Sequence, residues 1–261
     1  MTILDRTDTG AIAHLHMTAP ERLNALSDAM LAALQAAFDQ IGSDPAIRVV
    51  ILSGAGKAFC AGHDLKEMQA GRQAEDGGAA YFADLFARCS RLMRTIRTLP
   101  QPVIARPHGI ATAAGCQLVA TCDLAIAEEE TRFGVNGVNI GLFCSTPMVA
   151  LSRNVPRKQA FEMLTTGSFI DTARATEIGL INRAVPADRL EAETMALAET
   201  VAGKLGAAVR IGKEAFYAQA EMTVDAAYAY TGDVMVQNML LRDTNEGISA
   251  FLDKRTPDWE Q

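Results

Sequence analysis

The chain has 261 residues, of which 49% are hydrophobic and 21% are charged, which suits one large domain or one domain with a small appendage. This composition excludes a disordered chain, because a substantial core can form. The 24 Lys and Arg against 31 Asp and Glu give a net charge of −7. An acidic chain without a long basic run does not favour nucleic acid or an anionic membrane as its partner.

Strand-like and helical patterns alternate through the first 185 residues. The strand-like runs are 11–17, 48–53, 102–106 and 123–127. Helices are predicted over 27–41, with Ser27 as N-cap, and over 79–99, where Pro100 ends the pattern. This alternation predicts an α/β fold with buried parallel strands.

The pattern changes after a last strand-like run at 181–185. Residues 188–252 show helical patterns alone, with breaks near Gly203, Gly206 and Thr223. We therefore predict an α/β core over 1–200 and a helical region over 201–261.

One stretch is long enough to cross a bilayer, since 133–152 carries no formal charge for 20 residues. It contains three glycines, two asparagines and a proline, which a lipid-exposed helix accommodates poorly. We expect a buried wall there and no membrane span. The first ten residues show no export or organelle signal, and five cysteines without a CxxC pair are typical of reduced thiols. These features predict a cytoplasmic protein.

The phosphate-binding and metal-binding motifs that can be tested here fail. The segment 53–57 (SGAGK) follows a strand, but a Walker loop needs glycine at position 51 and Ser or Thr at 58, and a dinucleotide fingerprint needs glycine at 59. His14 and His16 share one strand face without a Cys or carboxylate at metal-ligand spacing. We interpret them as a solvated or hydrogen-bonded pair and predict neither a metal nor a separate cofactor.

Two strand-to-helix turns could carry chemistry. In 57–68, Gly62 and His63 precede Asp64, which suits the cap of a helix beginning near Leu65. In 107–118, small residues at 113–115 would let a ligand approach the first N–H groups of a short helix. Two N–H groups converging on one point form an oxyanion hole, which stabilises a developing enolate or alkoxide. From spacing alone, two ordinary tight turns would explain these segments as well.

The order of several segments resembles the crotonase (enoyl-CoA hydratase/isomerase) superfamily over nearly the whole chain. The segments that carry the resemblance are 21–26 (ERLNAL), 57–65 (KAFCAGHDL), 113–124 (AAGCQLVATCDL), 133–134 (FG), 173–180 and 247–255. The stretch 137–147 is most similar to one branch of it. The resemblance implies a spiral of ββα units with a C-terminal α-helical trimerisation region, an acyl-CoA substrate that carries its own coenzyme A, and a homotrimer or hexamer.

The same resemblance places an oxyanion hole at the backbone N–H groups of His63 and Ala114. Hydratases of this superfamily use two glutamates, and the matching positions hold Gln117 and Gly137. An amide and a glycine cannot transfer a proton as a tuned carboxyl does. We therefore expect Asn139, or a water held by Gln117, to take over part of this role.

Further substrate contacts are expected from residues that flank these turns, line the pocket in relatives or supply cations for an acidic ligand. Cys144 is more simply a buried thiol than a nucleophile, because no base lies near it in sequence. Asp64 is more simply a helix cap than a base. In relatives, a Phe and a Lys that match Phe251 and Lys254 reach a neighbouring subunit's CoA. The full set is Arg22, Leu26, Lys57, Ala61, Gly62, Asp64, Leu65, Lys66, Gly115, Phe133, Cys144, Phe251 and Lys254.

Two hypotheses of function remain open. The first is an enzyme of fatty acid or lipid metabolism that acts on an acyl-CoA enolate, by hydration, isomerisation, decarboxylation or thioester hydrolysis. The second is a non-catalytic acyl-CoA-binding or regulatory protein. The missing glutamates favour the second hypothesis, whereas the oxyanion turns are compatible with both.

Overall fold

The structure is a computed structural model that describes residues 2–260. Within that range the strands are β1 (Leu4–Thr9), β2 (Ile12–Met17), β3 (Val49–Gly54), β4 (Val103–Ala105), β5 (Ile110–Thr112), β6 (Leu124–Glu128), β7 (Arg132–Gly134) and β8 (Arg183–Val185). The α-helices there are α1 (Asp28–Gly42), α2 (Leu65–Gly71), α3 (Ala79–Thr98), α4 (Ala114–Thr121), α5 (Pro147–Asn154), α6 (Arg157–Thr166), α7 (Thr172–Glu177), α8 (Leu190–Ala202), α9 (Gly206–Gln219), α10 (Val224–Met239) and α11 (Arg242–Leu252). Three 3-10 turns cover Pro20–Arg22, Asn136–Ile140 and Ala187–Arg189.

The strands form a six-stranded sheet and a small second sheet. The main sheet has the order β1-β2-β3-β4-β6-β8, in which only the β1–β2 pair is antiparallel. The second sheet is the parallel pair of β5 and β7. Every residue of β3 is buried, as expected for a parallel strand covered on both faces. The α/β prediction with buried parallel strands is confirmed.

Local sequence signals explain where the first helices begin and end. The Ser27 side chain accepts a hydrogen bond from the N–H of Met30 at 3.2 Å and so caps α1. Helix α3 ends at Thr98, two residues before Pro100, which cannot continue a helix. Both helices lie within one residue of the predicted bounds.

The two faces of the main sheet pack against different helices. On one face, alternate residues of β2 such as Leu15 join the large core that includes Leu34 and Phe38 of α1. On the other face, Ile12, Val49, Ile51 and Ile104 pack with Ala198 of α8. Helix α8 therefore completes the α/β layer.

The last three helices lie outside this layer, and the last two each pack on the helix before them. Lys213 of α9 is buried, and its Nζ donates to the carbonyls of Ile96 and Gln101 and, at 2.7 Å, to Asp123. The Tyr217 hydroxyl donates to the same carboxylate at 2.8 Å. Beyond this anchor, α10 packs on α9 and α11 packs on α10. The helical pattern predicted for 188–252 is confirmed.

The uncharged stretch 133–152 is not one long helix. It comprises the end of β7, a 3-10 turn, a loop and most of α5. Phe133 and Leu151 are buried, but Ile140 and Val149 are exposed, so the expectation of a wholly buried wall is only partly right. None of the helices in residues 2–260 is long and apolar enough to cross a membrane.

Candidate active site

The two predicted turns meet at the end of the second sheet. The segment after β3 pairs with β5, since the Cys60 N–H donates to the Ile110 carbonyl at 3.2 Å and the Thr112 N–H donates to the Cys60 carbonyl at 3.0 Å. The Leu26 N–H donates to the Gly62 carbonyl at 2.7 Å, which fixes the first turn from its other side. Three separate segments thus hold the same few residues in place.

Close backbone approach explains the small residues at this junction. Gly62 has φ +89°, and a Cβ there would lie 2.9 Å from the Ala113 Cβ and 3.3 Å from the Ala114 nitrogen. A Cβ at Gly115 would lie 2.1 Å from the Cys60 carbonyl oxygen. Only glycine lets the two turns touch in this way.

The backbone at Ala113 is in a region that L-residues rarely adopt, with φ 50° and ψ −118°. Its N–H donates to the Gly134 carbonyl at 2.9 Å, which ties the turn to β7. Such conformations cost about 1–3 kcal/mol and persist where the surroundings enforce them. This one turns the chain directly into the N-terminus of α4.

The N–H groups of His63 and Ala114 donate to no acceptor within residues 2–260. Ala114 is the first residue of α4, where N–H groups lack intrahelical partners and the helix dipole favours negative charge. The structure therefore brings two donor residues together on adjoining turns. Chemically, such a pair can stabilise an oxygen on which negative charge develops.

The His63 imidazole lies between Leu26, which precedes α1, and Phe86 of α3. Its Nδ1 lies 3.4 Å from the Leu26 carbonyl oxygen, and its ring meets Phe86 edge-on with centroids 5.7 Å apart. Among residues 2–260, the buried Nε2 finds no hydrogen-bond partner. Burial lowers the pKa of His63, with a further contribution from Arg88, so the ring is neutral near pH 7.

Gln117 lies one turn into α4 and is 4% exposed. Its buried Oε1 has no hydrogen-bond partner in the part of the chain that the structure describes. A buried polar atom without a partner is uncommon and calls for a water or a ligand. The amide can orient such a group, but it cannot carry a proton.

The second acid/base position is closed by backbone. A Cβ at Gly137 would lie 2.3 Å from the Leu142 carbonyl oxygen and 2.9 Å from the Cys144 Sγ. The Leu142 N–H donates to the Gly137 carbonyl at 2.9 Å, so the chain folds back tightly over this glycine. No side chain fits at position 137 unless this loop moves.

Cys144 packs against Gly137 and is 6% exposed. Burial raises the pKa of its thiol above the ordinary value. The thiol is therefore protonated near neutral pH, which supports a packing role and not a nucleophilic one. All five cysteines are free and buried.

Charged side chains lie around the first turn. Asp64 caps α2 by accepting from the N–H groups of Lys66 and Glu67 at 2.9 and 3.2 Å, as the sequence predicts. Arg22 contacts both Asp64 and Glu67 at 3.1 Å. Lys57 and Lys66 are exposed, and within residues 2–260 no carboxylate lies within 4.0 Å of either ammonium group.

Several predicted contacts are not brought to the two turns. Asn139 is exposed, and its amide donates to the Gly167 carbonyl at 3.2 Å, next to α6. This carbonyl engages the Asn139 amide, and the expected part of Asn139 in proton transfer stays a prediction. Phe251, on α11 and 83% exposed, and Lys254, just beyond, lie on the outer helices.

The other predicted contact residues differ in the exposed fraction of their side chains. Leu26 and Phe133 are fully buried core side chains. Ala61 is half-buried and Leu65 is 55% exposed.

Sequence reasoning did not single out two residues that shape the site. Asn24, fully buried with φ 50°, accepts from the Ala19 N–H and donates to the carbonyls of Ala55 and Ala58, which holds the first loop. Thr112 donates to the Asn136 side chain at 2.6 Å, which joins the second turn to the Gly137 loop. The sequence signal for Asn24 is its residue type, since asparagine is one of the few residues besides glycine that adopt the left-handed region.

Comparison with known proteins adds the family. The family model described as enoyl-CoA hydratase/isomerase matches residues 7–261. The chain is 46% identical over 248 residues to human enoyl-CoA hydratase domain-containing protein 3, mitochondrial, covering 95% of this chain and 80% of that protein. This protein represents the branch that the stretch 137–147 indicated, and that resemblance is confirmed.

Two crystal structures share the fold. An enoyl-CoA hydratase from Mycobacterium smegmatis is 51% identical with a TM-score of 0.95, and 99% of each chain is covered. Human enoyl-CoA hydratase domain-containing protein 3 is 44% identical with a TM-score of 0.94, covering 98% of this chain and 100% of that one. The vertebrate relatives are named mitochondrial, so the prediction of a cytoplasmic location is wrong by this comparison.

Proposed function

The chain belongs to the enoyl-CoA hydratase/isomerase family, and we propose that it binds an acyl-CoA thioester whose carbonyl oxygen lies between the N–H groups of His63 and Ala114. The observation that carries this proposal is the pair of undonated N–H groups on adjoining turns. Donors aimed at one oxygen stabilise a thioester enolate as it forms. Because these donors are backbone groups, Ala114 serves as well as glycine at that position.

The polar atoms beside this hole suit binding better than proton transfer. Gln117 offers a buried amide oxygen to a substrate hydroxyl or to a water. Gly137 offers no acid, since the Leu142 carbonyl occupies the space of its side chain. The proposed reaction is therefore enolate chemistry of the hydratase/isomerase type in which hydration is slow.

Cations near the first turn support an acidic ligand on an acidic protein. Lys57 and Lys66 are exposed and have no carboxylate within 4.0 Å in residues 2–260. We assign them to the phosphates of coenzyme A, since a local positive charge attracts an anionic ligand. Arg22 is held by Asp64 and Glu67 and contributes less.

The outer helices support an oligomer. On α10, directly after it and on α11, apolar side chains are largely exposed: Tyr228 78%, Met235 63%, Leu240 81%, Phe251 83% and Leu252 72%. Several large exposed apolar side chains on consecutive helices are typical of an interface. We propose that residues 201–261 form the oligomerisation region of a trimer or hexamer, and light scattering that finds a monomer at micromolar concentration would refute this.

A second candidate function is acyl-CoA binding without turnover. The closed space at Gly137 favours it, because an acid/base pair needs two proton-carrying groups. Isomerisation, decarboxylation and thioester hydrolysis by the same enolate route remain alternatives. Incubation with crotonyl-CoA, followed by loss of the enoyl absorbance, separates turnover from binding alone.

The test of the oxyanion site compares two ligands that differ in one oxygen. Butyryl-CoA carries the thioester carbonyl, and S-butyl-CoA is the thioether without it. We expect calorimetry to show saturable binding of both, with the thioester about tenfold tighter, because two neutral hydrogen bonds contribute about 0.5–1.5 kcal/mol each. Equal affinities would remove the oxyanion assignment, and no binding of either ligand would remove the function.

A further inference from the structure

A second polar cluster lies on the other face of the main sheet. His14 and His16 of β2, Ser53 of β3 and Arg106, which directly follows β4, occupy neighbouring strands. They alternate along these strands with residues of the large core and share their face with Ile12, Val49, Ile51 and Ile104. His16, Ser53 and Arg106 lie toward the carboxyl ends of three parallel-paired strands, and His14 lies two residues before His16 in β2.

Hydrogen bonds connect the cluster through Ser53. Its Oγ lies 2.6 Å from His14 Nε2 and 2.7 Å from His16 Nδ1. A hydroxyl has one proton, so it donates to one imidazole and accepts from the other. An Arg106 guanidinium nitrogen lies 3.4 Å from His14 Nε2. Burial lowers the pKa of both imidazoles, so both are neutral near pH 7.

Arg106 has no acidic partner among the described residues. Its guanidinium is half-buried, and in residues 2–260 no carboxylate oxygen lies within 4.0 Å of it. The surrounding ionisable groups are His14 and His16, with Glu191 of α8 acting on Arg106 from farther away and Asp5 and His108 acting on His16. A partly buried arginine whose side-chain N–H groups are mostly unused has donors available for an anion.

We propose that Arg106, with His14 and His16 beside it, forms a binding site for a small phosphate group. The guanidinium fork matches two oxygens of a tetrahedral oxyanion. A metal ion does not fit, since the two imidazole nitrogens facing Ser53 are already used and a fixed positive charge lies next to them. The site is separate from the proposed acyl-CoA site, because its side chains lie on the opposite face of the sheet from the large core that holds Ala114.

The test is a titration of the full-length protein with inorganic phosphate, followed by calorimetry and by the ring resonances of the histidines. We expect saturable binding in the millimolar range or tighter, with shifts at His14 and His16. Arg106→Gln should weaken binding at least about tenfold, since charge-assisted contacts are lost. Arg106→Lys, which keeps the charge without the fork, should weaken it less. Arg210→Gln, which removes an exposed arginine from α9, should leave it unchanged.

Two further measurements test which class of anion binds and whether it binds outside the acyl-CoA site. Acetate should bind more weakly than phosphate, and saturating butyryl-CoA should not displace phosphate. Unsaturable binding, equal binding by wild type and Arg106→Gln, or displacement by butyryl-CoA would each overturn the proposal. Should Arg106→Gln fail to fold, the Arg106→Lys and Arg210→Gln pair decides it, since equal affinities in those two variants also contradict a fork at Arg106.

Discussion

The two halves of the candidate active site differ in the groups that would act on a ligand, which are backbone groups in one half and side chains in the other. The oxyanion turns around His63 and Ala114 rely on backbone N–H groups, and three segments fix their positions. The half formed by Gln117 and the Gly137 loop would rely on side chains, and there an amide and a loop carbonyl stand in place of two acids. A function carried by backbone survives substitution of the residue, whereas one carried by side chains is lost with a single change.

The sharpest way to probe this difference is to restore one acid. Gln117→Glu places a carboxyl in a buried position, where desolvation raises its pKa toward neutral and suits it for proton transfer. We expect crotonyl-CoA hydration to rise about a hundredfold over wild type, the lower end of general acid–base assistance. The rate is measured by loss of enoyl absorbance.

The control for this change is Gln73→Glu, which adds the same charge at an exposed position and should leave the rate unchanged. Both variants should still bind butyryl-CoA. If wild type already hydrates crotonyl-CoA at about ten per second, an ordinary enzyme rate, the interpretation of Gln117 and Gly137 is wrong.

The loop half should resist any side chain at position 137. Gly137→Ala puts a Cβ 2.3 Å from the Leu142 carbonyl oxygen, so the loop must shift. We expect a loss of about 1–3 kcal/mol in the free energy of unfolding, the usual cost of overpacking. A glutamate at this position should therefore not add to the gain from Gln117→Glu.

The matched control is Gly212→Ala in α9, where an added Cβ meets nothing within 4 Å. This change should stabilise slightly, because alanine favours a helix over glycine. Urea unfolding of both variants gives the comparison. A Gly137→Ala protein as stable as Gly212→Ala would show that the space is open.

The sequence predicts much of the fold and only part of this site. Helix limits at Ser27 and Pro100, and the cap by Asp64, follow from local hydrogen bonding and from the missing proline N–H. The closure over Gly137 could not be predicted, because it depends on where the chain returns at Leu142. For the same reason the sequence missed that Asn139 contacts Gly167.

The oxyanion half offers a smaller test of its backbone. Ala113→Gly should relieve the unfavourable φ and ψ at this turn. The relief of about 1–3 kcal/mol exceeds the extra unfolded-state entropy of glycine, about 0.5–1 kcal/mol. We expect a net gain of about 1 kcal/mol in the free energy of unfolding, measured in urea, with butyryl-CoA affinity unchanged.

The same exchange elsewhere should have the opposite sign. Ala83→Gly, at an exposed position within α3, should cost about 1 kcal/mol, because glycine disfavours a helix. Two losses of equal size would mean that Ala113 is not strained.

The smallest expected effect is a difference between the two halves of the site in how their contribution to stability depends on pH. Burial lowers the pKa of His63 in the folded protein, so below its unfolded value of about 6.5 the unfolded chain takes up a proton first. Stability from this residue is full above that value and is lost as the pH falls toward the folded pKa. Burial instead raises the pKa of Cys144, so its contribution is full at neutral pH and is lost only as the pH rises past the ordinary thiol range. We expect the free energy of unfolding of His63→Gln, measured in urea, to fall less steeply than that of wild type below pH 6.5. The free energy of unfolding of Cys144→Ser should follow wild type in that range. His14 and His16 also titrate in this acidic range, but they are present in all three proteins and cancel in the comparison. Equal acid slopes for His63→Gln and wild type would mean that the imidazole is solvated, and that the oxyanion half of the site is more open than its buried, unpartnered Nε2 indicates.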